Sequence, residues 1–325
     1  MHQIRNRYAR IVISLIKWAV LTLGMGYILY QWFRFDSSEM KIWHIDLVGY
    51  LPIVFFLMLL NWGLESIKWK ILLHPFFDLS LTKSLIGVLS GVSVAIFTPA
   101  RIGEFAGKII HLPEGLRIKG FMASVAGNLA QWSITLIMGI ASVPYLLFRF
   151  SSFISDYPAY FFYLVSFVCL LAWLSVFVIL LQLPRIGKAL TLWKFLRRWR
   201  ADISVWKSYS VSTILWILLI SFIRYLVFSF QYYLLFMAFS IQISWLDFQM
   251  LMATVFFISA FIPTFSVSEV ITRGSVLVWI FQLSHSPAPA VVTVSFLIWV
   301  MNLAIPALVG YYFIARASVI NQSDA

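Results

Sequence analysis

The sequence predicts an all-α polytopic membrane protein with about six full spans and two re-entrant or broken-helix hairpins, arranged as an inverted repeat. Three observations lead to this fold class: a strongly apolar composition, several apolar runs of spanning length, and two shorter apolar stretches that end at a proline followed by charge. We expect residues 1–325 to form a single integral membrane domain.

The composition excludes a soluble domain. Hydrophobic residues make up 62% of the chain and charged residues 11%, against roughly 45–50% and about 25% in soluble domains. A globule of this size cannot bury so much apolar surface, so lipid must cover it. The formal charge of +12 fits cytoplasmic loops that face anionic lipid better than nucleic-acid binding. Cys169 is the single cysteine, which excludes an internal disulfide and a cysteine-based zinc site.

Apolar runs define the predicted spans. The first, at about 11–33, follows three arginines and is too long for a signal peptide, so we expect a retained helix. Five further runs have the length that a span needs, namely 47–64, 121–148, 160–183, 210–239 and 288–314. Stretches 84–98 and 248–262 hold only 15 residues each, and short second pieces follow at about 102–112 and 269–284. A short helix, a break and a second short helix predict a hairpin.

The distribution of basic residues supports this layout. With the N-terminus inside and both hairpins returning to the side they entered, predicted cytoplasmic segments hold 19 Lys and Arg residues and predicted outer segments hold 3. Such a bias is typical of cytoplasmic loops, and it predicts a protein of the cytoplasmic membrane with both termini inside. Two tight full spans at 248–284 are an alternative that leaves the charge bias unchanged.

The predicted topology contains two units of opposite orientation. Residues 47–149 and 209–314 each comprise a span, a hairpin and a span, and they are joined by 150–208, which includes a basic loop at 184–208. An acid and a base recur four residues apart after each break, and Asn-Leu-Ala recurs at 128–130 and 302–304. Many transporters are built from such inverted repeats.

The first break holds three candidate binding residues. Pro99 and Gly103 are expected to interrupt the helix, and Arg101, Glu104 and Lys108 place three charges between apolar segments. A helix N-terminus with two basic side chains suits a phosphate, while the carboxylate can hold the arginine or meet a cationic head group. Alternatively, the three charges only stabilise the hairpin turn near the cytoplasmic surface.

The second break is similar but more apolar. Pro263 and Gly274 are the expected helix breaks, and Ser268, Glu269 and Arg273 are the candidate binding residues. In this layout Glu269 is the only carboxylate within the bilayer, where ionisable residues are usually functional. Alternatively, Glu269 and Arg273 neutralise each other and only hold the hairpin together.

A third charged position lies within a full span. Arg224 falls near the middle of 210–239 without an acidic neighbour in that run. We expect it to bind substrate and to pair with Glu269 or Glu104; a displaced helix boundary is the alternative. Glu65 and Lys68 are interpreted as a cytoplasmic interfacial pair.

Other classes of site find no support in the sequence. The histidines are scattered, and neither a P-loop, a dinucleotide fingerprint nor a nucleophile elbow occurs. We therefore expect no metal, no cofactor and no catalytic residue. Four amides, Asn128, Gln131, Gln231 and Asn302, are interpreted as interhelical hydrogen bonds.

The two breaks also carry a resemblance. Residues 98–104, Thr-Pro-Ala-Arg-Ile-Gly-Glu, resemble the first signature of the lysylphosphatidylglycerol synthase transmembrane region, or flippase-like domain, family. The segment from Pro263 to Glu269, with Gly274 after it, is similar to the second signature. This resemblance implies a membrane domain that moves aminoacylated or other phospholipids, or lipid-linked precursors, between leaflets. In full-length synthases a cytosolic aminoacyl-transferase domain follows; because this chain stops at Ala325, we expect no synthase activity of it.

The leading hypothesis is therefore a phospholipid or lipid-linked precursor translocase. Its expected partners are anionic or aminoacylated phospholipids or a lipid-linked precursor, together with a possible separate lipid-modifying enzyme, and not nucleic acid. One alternative is a membrane-embedded enzyme that modifies lipid head groups, with Glu104 or Glu269 as general base. The other is a non-catalytic scaffold for a lipid-biosynthetic partner.

Overall fold

A computed structural model describes residues 46–98, 101–149, 159–182, 204–262 and 266–323. Within these ranges all regular secondary structure is helical. The helix expected at about 11–33 and most of the basic loop 184–208 lie outside the described residues, as do Pro99 and Pro263.

Ten helices, numbered here in chain order, make up the described part of the chain. The first five are α1 (Leu47–Leu73), α2 (Leu81–Ile96), α3 (Gly103–Ile109), α4 (Arg117–Arg149) and α5 (Ala159–Leu181). The second five are α6 (Val211–Ala238), α7 (Trp245–Phe261), α8 (Ser266–Phe281), α9 (Ala288–Trp299) and α10 (Ile305–Ser323). Short 3₁₀ turns lie at Glu114–Leu116, Ser204–Ser208 and Gln282–Ser284, and a π-helical turn at Val300–Ala304 joins α9 to α10.

Four helical segments of the described residues are long and apolar enough to cross a bilayer: Leu47–Leu73, Glu114–Arg149, Val211–Ala238 and Ala288–Arg316. Helices α2 and α7, with 16 and 17 residues, are shorter. Large apolar side chains such as Phe56, Trp216 and Tyr311 are exposed, whereas many serines are buried. An apolar exterior around a partly polar interior is the arrangement that lipid requires, so this is a multi-pass membrane protein.

Helix α1 shows how the sequence turns polar groups inward. Its buried positions recur every three or four residues, which places them on one face. That face holds Val54, Met58, Asn61, Glu65 and Lys68. Consequently, two charged side chains of a spanning helix point into the protein rather than toward its exterior.

The first break folds α3 back along α2. Thr98 Oγ1 accepts a hydrogen bond of 2.8 Å from the backbone N–H of Gly103, the first residue of α3. Arg101 has a left-handed backbone with φ 57°, which costs a non-glycine residue about 1 kcal/mol. A Cβ on Gly107 would lie 2.6 Å from Gly91 Cα, so glycine is required for this close approach. The first hairpin is therefore present as predicted, and Gly103 lies at its break.

The second break separates α7 from α8. Helix α7 ends at Phe261 and α8 begins at Ser266, so the interruption coincides with the segment around Pro263. Gly274, expected at a break, instead lies inside the continuous helix α8. A single glycine costs a helix about 1 kcal/mol and does not end it when the backbone hydrogen bonds continue.

The helices before α5 pack against the helices after it; we call α1 to α4 and α6 to α10 the two halves of the chain. Helix α1 packs against α6, α2 packs against α10, and α7 packs against α4. Ser93 of α2 donates a hydrogen bond of 2.5 Å to the carbonyl of Ala307 in α10, and Gly139 of α4 lies against Phe257 of α7. Each hairpin therefore rests on the last helix of the other half.

Candidate functional site

A buried lysine links the first hairpin to α1. Lys108 Nζ lies 2.8 Å from Glu104 Oε1 on its own helix and 2.8 Å from Glu65 Oε1 on α1. Only 1% of the Lys108 side chain is exposed. The ammonium is thus shared between two carboxylates, which offset the cost of removing it from water.

Glu65 is the centre of this inner cluster. Its Oε2 lies 2.7 Å from Lys68 Nζ and also pairs with Nη1 of Arg224 on α6. The side chain of Glu65 is 3% exposed. The expected pairing of Glu65 with Lys68 is confirmed. The pair does not lie at the protein surface, because the buried face of α1, which continues to Leu73, carries both side chains inward.

Arg224 has the acidic partner that its position required, but the partner is Glu65 and neither Glu104 nor Glu269. The reason is that α6 packs along α1, which brings Arg224 opposite that face of α1. Its Nε also donates 2.9 Å to Asn61 Oδ1, and its Nη1 donates 3.2 Å to Gln131 Oε1.

Arg101 is the point where the two hairpins meet. One guanidinium nitrogen lies 3.9 Å from Glu104 Oε2 and the other 4.0 Å from Glu269 Oε2. On α8, Glu269 Oε1 is 2.5 Å from Arg273 Nη2, and the Arg273 guanidinium lies over the ring of Phe228 at 5.8 Å. The structure thus brings together the candidate residues of both breaks.

These contacts form one continuous line of charge, here called the charged line. Its members are Lys68, Glu65, Arg224, Lys108, Glu104, Arg101, Glu269 and Arg273. Five are cationic and three are acidic, so the formal excess is two positive charges. Such an excess in a low-dielectric interior favours an anion.

Exposure increases along the charged line. The inner end, at Lys68 and Glu65, is almost fully buried, whereas 32% of the Arg101 side chain and 25% of Arg273 are exposed. The outer end therefore offers access to a ligand, and the inner end is enclosed by protein.

Hydrogen-bonding capacity is unused at the outer end. Among the described residues, Nε of Arg101, Nε of Arg273 and Oε2 of Glu269 are buried atoms without a hydrogen-bond partner. Ser268, also a predicted binding residue, is buried in the first turn of α8. These three atoms are buried, so a ligand would first reach the exposed parts of the Arg101 and Arg273 guanidinium groups, and guanidinium groups bind phosphate well.

The predicted amide contacts agree in part with the structure. Gln231 Nε2 donates 3.0 Å to the carbonyl of Val54, and Gln131 Nε2 donates 3.2 Å to Ser221, both between helices. Asn302 instead donates to Ile298 of its own helical segment. Within the described ranges no group of three or more metal-ligating side chains occurs.

Sequence reasoning missed Glu65, Lys68 and Asn61 as members of the site. Hydropathy places Glu65 just after an apolar run, where charge usually marks the membrane surface. Their helical spacing with Val54 and Met58 was the available signal, because it places all of them on one face of α1.

The comparison with protein families agrees with the sequence and the fold. The family model described as lysylphosphatidylglycerol synthase TM region matches residues 9–310. No curated protein and no solved structure gives a significant match. Since the family model covers most of the chain, the protein belongs to the lysylphosphatidylglycerol synthase TM region family.

Proposed function

We propose that the protein translocates a phospholipid or a lipid-linked precursor between the leaflets of the cytoplasmic membrane. The observation that carries this proposal is the charged line, through which side chains of both hairpins meet at Arg101. Arg101, Glu104, Lys108, Ser268, Glu269 and Arg273 are the proposed head-group residues, with Arg224 supporting them from α6.

Arg101 is suited to exchange its partners for a phosphate. Its contacts to Glu104 and Glu269 are 3.9 Å and 4.0 Å, longer than a charge-assisted hydrogen bond. A phosphate can accept two parallel hydrogen bonds from a guanidinium, which neither carboxylate does here. Binding an anion would also reduce the positive excess of the charged line.

The packing of the two halves supports an inverted repeat. In our proposal, α1 to α4 and α6 to α10 are units of opposite orientation, each with a hairpin that contacts the closing helix of the other. Rocking of one unit on the other would open the head-group site to each side in turn. The fold would then comprise about six spans, counting α5 and the apolar run at 11–33.

Lipid exchange in liposomes tests the proposal. Purified protein is reconstituted into liposomes that contain labelled phosphatidylglycerol, and the rate of exchange between leaflets is measured. Glu104→Gln and Glu269→Gln should each slow exchange at least tenfold. Glu114→Gln is the matched control, because Glu114 is 89% exposed at a surface turn and is expected to leave exchange unchanged.

Two outcomes would favour the alternatives. Chemical modification of the labelled lipid would favour a head-group-modifying enzyme. A lower melting temperature in both glutamine variants, without any change in the rate of lipid exchange, would favour a scaffold whose charges only hold the hairpins together.

Cysteine labelling tests the orientation. In a Cys169→Ser background, single cysteines at 37 and 155 should react with a membrane-impermeant reagent outside the cell. A cysteine at Ser208, which is exposed at the end of a 3₁₀ turn, should react only after permeabilisation. The opposite pattern would invert the proposed topology.

A further inference from the structure

The inner end of the charged line has more positive charge than its carboxylates can neutralise. Three cationic side chains, Lys68, Lys108 and Arg224, surround the single carboxylate of Glu65. Glu104 offsets one more charge through Lys108. One positive charge therefore remains without a counterpart in the most deeply buried part of the site.

Lys68 is the cation that can lose its charge. Arginine does not deprotonate in proteins, so Arg224 keeps its proton. Lys108 lies 2.8 Å from each of two carboxylates, which stabilise its charged form. Lys68 has only Glu65, at 2.7 Å, and its Nζ makes no hydrogen bond of good geometry to any described residue.

Among the described residues, no acid other than Glu65 is found to act on Lys68. The ionisable groups that act on it are Glu65 of its own helix, Arg224 of α6 and Lys108 of α3. On α4, Gly127 lies beside the Lys68 side chain, and a glycine contributes no charge. The side chain is 1% exposed, so water offers little stabilisation of an ammonium.

We propose that Lys68 is a proton-binding site that couples protonation to the binding and movement of an anionic head group. This inference rests on the proposed translocation and adds a co-transported ion to it. While Arg101 contacts Glu104 and Glu269, the Nζ–H bond of Lys68 breaks and the electron pair stays on nitrogen. The proton passes by way of Glu65 Oε2, 2.7 Å away, to solvent. When a phosphate binds at the outer end, the added negative charge favours the return of the proton to Nζ.

Reciprocity makes this coupling measurable. If head-group binding raises the proton affinity of Lys68, protonation of Lys68 must strengthen head-group binding by the same factor. A bound phosphate and a bound proton together also carry less net charge through the membrane than the phosphate alone. A proton gradient could therefore drive net movement of the lipid.

Proton uptake on ligand binding tests the inference directly. The full chain, in detergent and weak buffer at pH 8, is mixed with soluble dioctanoyl phosphatidylglycerol, and the pH change is recorded. Wild type should take up as much as about one proton per protein. Lys68→Met, which is permanently neutral, and Lys68→Arg, which is permanently charged, should take up none. Lys70→Met is the matched control two residues along α1 and should behave as wild type.

The pH profile of exchange gives a second readout. As the pH is raised, wild-type exchange should decline toward tenfold per pH unit once the proton is lost, while Lys68→Arg should give a flat profile. Absence of proton uptake in wild type, or uptake retained in Lys68→Arg, would overturn the proton site. Uptake that is present without leaflet exchange would refute the translocation and leave the proton site standing.

Discussion

Glu65→Gln should be strongly destabilising, because Glu65 is the carboxylate on which the inner cluster depends. The substitution keeps the shape and removes the negative charge that faces Lys68, Lys108 and Arg224. Removing one partner from a buried ion pair typically costs about 3–5 kcal/mol, since the other charge stays buried without compensation.

The contacts show where this cost arises. In Glu65→Gln, Lys108 keeps Glu104 at 2.8 Å, and Arg224 keeps the oxygens of Asn61 and Gln131. Lys68 and Arg224 both lose their single acidic partner, but Arg224 keeps these two amide oxygens, whereas Lys68 is left with no other side-chain partner among the described residues. We therefore expect Glu65→Gln with Lys68→Met to recover a large part of the lost stability, even though the double variant departs further from the native sequence.

Thermal unfolding in detergent, followed by circular dichroism and by size exclusion, measures both effects. The surface variant Glu114→Gln controls for the loss of one carboxylate and should unfold like wild type, because exposed pairs contribute little. A loss below about 1 kcal/mol in Glu65→Gln would refute this assignment of Glu65. Equal instability of the single and double variants would refute the role of Lys68 as the uncompensated charge.

Two further predictions concern the first hairpin. Gly107→Ala should separate α2 from α3 and reduce both folding yield and lipid exchange, because the new Cβ would overlap the backbone at Ser90. Gly63→Ala is the control and should be tolerated in the same assays, because nothing lies within 4 Å of the new Cβ. In the turn after α3, burial lowers the pKa of His111, whose Nε2 lies 2.8 Å from Ser90 Oγ. The unfolded chain therefore binds more protons on this histidine, so stability should fall as the pH drops below about 6.5, and His111→Gln should reduce this loss in melting curves at pH 7.5 and 5.5.

The helical architecture and the two breaks were accessible from the sequence because local signals determine them. Apolar runs define the long helices, and a proline followed by charge defines where a short one ends. Gly274 shows the limit of such signals, since a glycine interrupts a helix only where the surrounding backbone allows it.

The partners within the site could not be predicted from the sequence, because they depend on which helices lie side by side. Arg224 visibly required an acid, but the acid could be named only once α6 was seen to pack on α1. Hydropathy along the chain places Glu65 just after an apolar run, which is typical of a residue at the membrane surface. Its burial depends instead on which face of α1 packs against the other helices.

Each hairpin packs on a helix from the other half of the chain, and this packing has a consequence for biosynthesis. The hydroxyl of Ser93 and the carbonyl that it contacts are 214 residues apart in the chain. During translation the first hairpin is consequently made long before its neighbour α10, so α2 lacks this contact until the last helix has been made. Packing of this face of α2 is thus coupled to completion of the last helix, and a chain that ends before Ala307 cannot form this interhelical hydrogen bond.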